Sequence, residues 1–189
     1  MKLNKNNMGK KILVVVDVQY DFCNPNGALF VKGGDLVVEK IKNVIPNFDY
    51  VIFTKDSHGL KHCSFKENGG IWPMHCVWNS IGEGIPVELL KAAKDYGVVT
   101  KGGNVNEEEY GADANAIMTA HDENPEECEF VFCGIHALYC VKETIKNFIE
   151  KYPQVKVSVL TDCIAPLDCD EFNTFCAENS ITQKSVVDF

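Results

Sequence analysis

The chain of 189 residues contains no arginine, so all 18 of its basic side chains are lysines. Arginine's planar fork is the usual clamp for carboxylates and phosphates, so its absence argues against a strongly anionic substrate. Aspartate and glutamate total 27, which leaves a formal charge of −9. A balance this acidic makes nucleic acid and anionic membranes poor partners, since both need a basic face. No Cys-x-x-Cys pair occurs among the nine cysteines, which excludes a zinc ribbon and a thioredoxin-type redox motif. No apolar run is long enough to cross a bilayer. The opening residues Met1-Lys2-Leu3-Asn4-Lys5 lack the apolar stretch of a secretion leader. An odd number of cysteines without such a leader is the usage expected of free thiols in a reducing cytoplasm.

What the chain does have is a steady alternation of short apolar runs and longer amphipathic stretches. Ile12-Leu13-Val14-Val15-Val16 is continuous and rich in β-branched residues, as a strand buried on both faces would be. Residues 50–54, 98–100, 130–133 and 155–160 read the same way, and 185–187 is expected to add a last edge strand. Helices are expected over 35–45, 86–94, 112–121, 140–151 and 170–179. This order predicts an α/β fold: a doubly wound, mostly parallel sheet of about six strands with helices on both faces. One domain is expected over 10–189, with 1–9 as a loose tail.

In such sheets ligands sit beyond the carboxyl ends of the strands, so the polar residues that follow each run carry the interest. Asp17 follows the first run directly. An acid there needs a cation or a capping role, and Lys101, after the third run, offers the cation. Cys140 stands at a predicted helix start, where the dipole and free N–H groups would favour a thiolate and could hold an oxyanion. A buried structural cysteine is the alternative. Between the second and third runs, Asp56, His58, His62 and His75 crowd one loop. Carboxylate and imidazole at Asp-x-His spacing suit zinc, iron or manganese, and Glu67 in the same loop could add an oxygen ligand.

Taken in order, these pieces resemble the nicotinamidase branch of the isochorismatase-like cysteine hydrolases. The carriers of the resemblance are Val16-Asp17-Val18-Gln19-Tyr20-Asp21-Phe22, Thr54-Lys55-Asp56-Ser57-His58, His62-Cys63-Ser64-Phe65, Trp72-Pro73-Met74-His75-Cys76-Val77, Lys101-Gly102 and Tyr139-Cys140-Val141. The resemblance implies a catalytic triad of Asp17, Lys101 and Cys140. It also implies one divalent metal ion, zinc before iron or manganese, on Asp56, His58 and His75, with Glu67 or His62 as further candidates. It implies an oxyanion hole from the N–H groups of His136 and Cys140, aimed by a cis peptide at Ile135–His136. Phe22, Trp72 and Tyr110 are the expected ring contacts.

The implied reaction is hydrolysis of a small neutral amide, nicotinamide to nicotinate and ammonia, as in NAD salvage, with pyrazinamide as a second substrate. Another amidase or ureidohydrolase of the family, or a non-catalytic metal-binding relative, is the alternative. Assembly into a homo-oligomer stays open. The chain departs from the family where Gly134-Ile135-His136-Ala137-Leu138 stands in place of Gly-Ile-Ala-Thr-Asp before the Tyr-Cys pair.

Overall fold

The computed structural model describes residues 9–121 and 127–189. Of the expected tail 1–9, all but Gly9 lies outside the described residues. Six strands form one parallel sheet: β1 (Lys10–Val16), β2 (Tyr50–Asp56), β3 (Tyr96–Lys101), β4 (Cys128–Ile135), β5 (Lys156–Ala165) and β6 (Thr182–Lys184). Their order across the sheet is β3-β2-β1-β4-β5-β6, every pair parallel. All five residues from Ile12 to Val16 have no exposed surface, which requires cover on both faces of β1. A continuous apolar run is what such a strand needs.

The helices are α1 (Tyr20–Cys23), α2 (Gly34–Val44), α3 (Val87–Ala92), α4 (Ala114–Thr119), α5 (Lys142–Lys151) and α6 (Asp170–Glu178). Helix α2 buries Val37, Ile41 and Val44, a stripe at helical spacing, and α5 buries Ile145 and Phe148. Helix α4 begins later than the pattern predicts because Asp113 caps it, its Oδ1 accepting from the Ala116 N–H at 2.8 Å. The expected strand over 185–187 is not formed. Pairing ends at Lys184, because Ser185 opens a capping box and the chain turns through Val186–Asp188. Asp162 holds that turn by accepting from Ser185 Oγ at 2.8 Å and from the Val186 N–H.

The chain leaves β1 toward β2 and β3, then crosses back to lay β4 on the other side of β1. The carboxyl ends of β1 and β4 therefore flank the point where the winding reverses, which is where such sheets open a crevice. Gly134 lets the two strands close up there. It has φ 124°, and a Cβ would clash with the Val16 carbonyl oxygen.

Candidate active site

Four strand ends supply the polar centre. Asp17 leaves β1 with φ 47° and is fully buried. Its N–H donates to the Thr54 carbonyl at 3.2 Å, and Thr54 Oγ1 donates to its Oδ1 at 2.5 Å. Lys101, the last residue of β3, places Nζ 2.9 Å from Asp17 Oδ2, as an ion pair rather than an aligned hydrogen bond. The same ammonium pairs with Asp56 Oδ1 and lies 3.7 Å from Cys140 Sγ. Asp17, Asp56 and Cys140 thus bring ligand atoms within 4.8 Å of one another. The sequence pairs Lys101 with Asp17 alone; its second partner, Asp56, comes from the register of β2 against β3, which sets those two residues opposite each other.

Burial dominates the electrostatics. It holds the Asp17 carboxyl above the usual carboxylate range, although Lys101 pulls the other way. Asp56 is also fully buried, yet Lys101 and His58 outweigh burial and hold it well below that range. Burial would lower Lys101, but Asp17 and Asp56 keep it firmly protonated. The thiol of Cys140 is pushed well above its ordinary value by burial, with Lys101 opposing and both carboxylates assisting. This corrects the expected resting thiolate: one ammonium does not offset full desolvation plus two nearby anions. Cys140 also stands inside a π-helical turn, Ala137–Val141, which precedes α5, so it does not head the regular helix.

Asp56, His58 and His75, all buried, form a second cluster whose ligand atoms lie within 4.8 Å of one another. His58 Nδ1 faces the Gly102 carbonyl at 2.9 Å, and His75 Nδ1 faces the Pro73 carbonyl at 2.7 Å. Each backbone oxygen accepts the Nδ1 proton, so in the neutral ring the lone pair stands on Nε2. Metal-binding imidazoles are held in this way. Two such nitrogens and one carboxylate oxygen fit a divalent ion with positions to spare. Glu67 lies outside this cluster: it is exposed, on a 3-10 turn, Lys66–Asn68. His62 packs against His58 with ring centroids 4.1 Å apart, and its Nδ1 pairs with Ser64 Oγ at 2.7 Å. It lies outside the three-residue cluster.

A cavity of about 500 Å³ opens beside both clusters. Phe22, Trp72 and Tyr110 line it, together with Asp56, His75, His136 and Cys140. Trp72 Nε1 donates to the Tyr110 hydroxyl at 3.1 Å, and Tyr139 stacks edge-on to Trp72 at 5.4 Å. Tyr139 and Glu108 also line it, as do the loop residues Leu29, Phe30, Val31 and Lys32, which no sequence motif contains. Lys32 adds an exposed basic residue to the cavity lining. Its loop lies outside every motif, so only the fold shows that it reaches the cavity. The Ile135–His136 peptide is cis.

The chain is 31% identical over 180 residues to the nicotinamidase of Escherichia coli, covering 82% of this chain and 83% of that protein. It belongs to the nicotinamidase family. Its fold matches the pyrazinamidase of Pyrococcus horikoshii, solved in complex with zinc, at TM-score 0.76 and 28% identity over 93% of this chain and 99% of that one. It also matches PnC1 of L. infantum, solved in complex with nicotinate, at TM-score 0.77 and 25% identity over 99% and 98% of the two chains. No family model matches the chain. Both these family structures share the α/β sheet described above.

Proposed function

We propose that this chain is an amidohydrolase that converts nicotinamide to nicotinate and ammonia, within residues 10–189 acting as one domain. The observation that carries this reading is the convergence of Asp17 and Cys140 on the Lys101 ammonium, 2.9 Å and 3.7 Å from its Nζ, with Cys140 lining the cavity beside the Asp56–His58–His75 cluster. Asp17 takes the Cys140 thiol proton, and its burial-raised basicity suits it to that task. Cys140 Sγ attacks the amide carbon, and the carbonyl electron pair moves onto oxygen. The N–H groups of His136 and Cys140 hold that oxyanion. Collapse breaks the C–N bond, Asp17 returns its proton to the departing nitrogen, and ammonia leaves. Water then hydrolyses the thioester, releasing the acid and regenerating the thiol. Lys101 keeps Asp17 ionised between turnovers.

Asp56, His58 and His75 are the residues that would hold a divalent ion, with zinc favoured by two imidazoles and by the zinc-bound pyrazinamidase relative. Such an ion supplies an electrophilic anchor for a ring nitrogen of the substrate. Phe22, Trp72 and Tyr110 sandwich a planar ring, and a mostly apolar wall favours a neutral one. Nine free cysteines fit a reducing, cytoplasmic setting.

The test is a steady-state comparison of nicotinamide, pyrazinamide, an N-carbamoyl amine, an aliphatic amide and an isochorismate-type ether. Nicotinamide should be hydrolysed well and the ether not at all. An N-carbamoyl or aliphatic substrate exceeding nicotinamide in kcat/KM by more than about tenfold, roughly 1.4 kcal/mol of transition-state binding, would overturn the substrate assignment.

A further inference from the structure

His136 is where this chain departs from the usual pattern beside the nucleophile, and its imidazole is held in one tautomer. The Leu138 N–H donates to His136 Nδ1 at 3.1 Å, so Nδ1 must carry a lone pair. Burial, with no neighbouring charge opposing it, lowers the ring's basicity and keeps it neutral. The single ring proton therefore sits on Nε2. The ring packs edge-on against Tyr139 at 5.0 Å and lines the cavity beside Cys140. Among the described residues, Nε2 has no hydrogen-bond partner. The side chain is thus a fixed donor, held by its own backbone and without an acceptor among the described residues.

We infer that His136 is a specificity-determining residue whose Nε2–H selects amides carrying a second acceptor atom next to the amide group. This rests on the amidohydrolase reading above, because it takes the amide end of the substrate to lie at Cys140. Pyrazinamide carries a ring nitrogen adjacent to its amide-bearing carbon, where nicotinamide has only C–H. A donor facing a C–H gains nothing, and one facing a nitrogen lone pair gains a hydrogen bond. A site built to donate also discriminates against ligands that leave the donor unpaired.

The test measures dissociation constants of pyrazinamide and nicotinamide by calorimetry on Cys140→Ala protein, where no turnover intervenes. A second set carries His136→Ala or His136→Gln in the same background. The expected result is that His136→Ala weakens pyrazinamide about fivefold more than nicotinamide, the effect of one net hydrogen bond. His136→Gln, which keeps an N–H donor, should restore part of that ratio. A ratio unmoved by His136→Ala overturns the inference, as does equal weakening of both amides, which a merely structural role would give. Failure of the Cys140→Ala protein to bind either amide also overturns it. Turnover by the otherwise native chain is scored separately: if the ratio shifts as stated and neither amide is hydrolysed, the amidohydrolase reading fails and the binding role of His136 stands.

Discussion

The carbonyl oxygen of Gly102 lies 2.9 Å from Nδ1 of His58, and the same glycine has φ 72°. Its N–H is held in turn by Glu109 Oε2 at 3.1 Å. One residue past the end of β3 therefore orients an imidazole that follows β2, and the backbone conformation that does so favours glycine.

Gly102→Ala should accordingly uncouple the proposed metal set. A Cβ at this position would clash with His58 Cε1 and Nδ1, on top of the left-handed strain. The expected outcome is a loss of about 1–3 kcal/mol in urea-unfolding stability and a fall in bound divalent metal by elemental analysis. Full metal content in the variant would show that His58 does not need this carbonyl.

Cys140→Ala should reduce ammonia release by about 10⁴-fold or more, as removal of a nucleophile does in other covalent hydrolases. Cys63 is half-buried and belongs to neither buried cluster, so Cys63→Ala should retain native turnover. Cys76 is buried in the loop that Asp21 anchors through the Cys76 N–H at 2.7 Å, a bond that alanine keeps. Cys76→Ala should therefore keep its activity at native metal content while losing some stability. Near-normal ammonia release by Cys140→Ala would remove the assigned chemistry.

Lys101→Met leaves two buried carboxylates without their shared cation. Breaking a buried pair in this way costs about 3–5 kcal/mol, and activity should vanish with it. The double variant Asp17→Asn/Lys101→Met should be more stable than Lys101→Met alone, because it removes one of the orphaned charges. Additive losses in the four-protein cycle would mean that Asp17 and Lys101 are not energetically coupled.

Glu129 gives a pH prediction far from the catalytic cluster. Lys184 Nζ and Ser158 Oγ approach its Oε1 at 2.6 and 2.9 Å, and these partners outweigh burial and lower its pKa. A carboxyl depressed in the folded state stabilises at pH above its unfolded value, and that stability is lost as pH falls through the folded value. Glu129→Gln should thus cost about 1–2 kcal/mol on a plateau above roughly pH 6, and the difference from the native chain should shrink below about pH 5. Denaturant melts across that range test it, and a difference independent of pH would show that Glu129 is not paired as an anion.

The sequence by itself determined most of the sheet and which polar residues follow its strands. Local pattern suffices for both: five consecutive buried apolar residues specify a two-sided strand, and the residue directly after it, Asp17, inherits a place at the strand's carboxyl end. Asp56 and His58 share one short segment, so their nearness in space follows from a single strand end. The tertiary structure alone decided what depends on contacts between segments far apart in the chain. The pairing of β2 with β3 set Lys101 opposite Asp56 and made one ammonium serve two carboxylates. Loop closure left Glu67 exposed and drew Leu29, Phe30, Val31 and Lys32 to the cavity, although no motif contains them. The capping box at Ser185 ended the last strand before the apolar pair that pattern alone assigned to it. Full burial, a property of the packed interior and not of any segment, kept Cys140 a thiol at rest where its position before a helix suggested a thiolate.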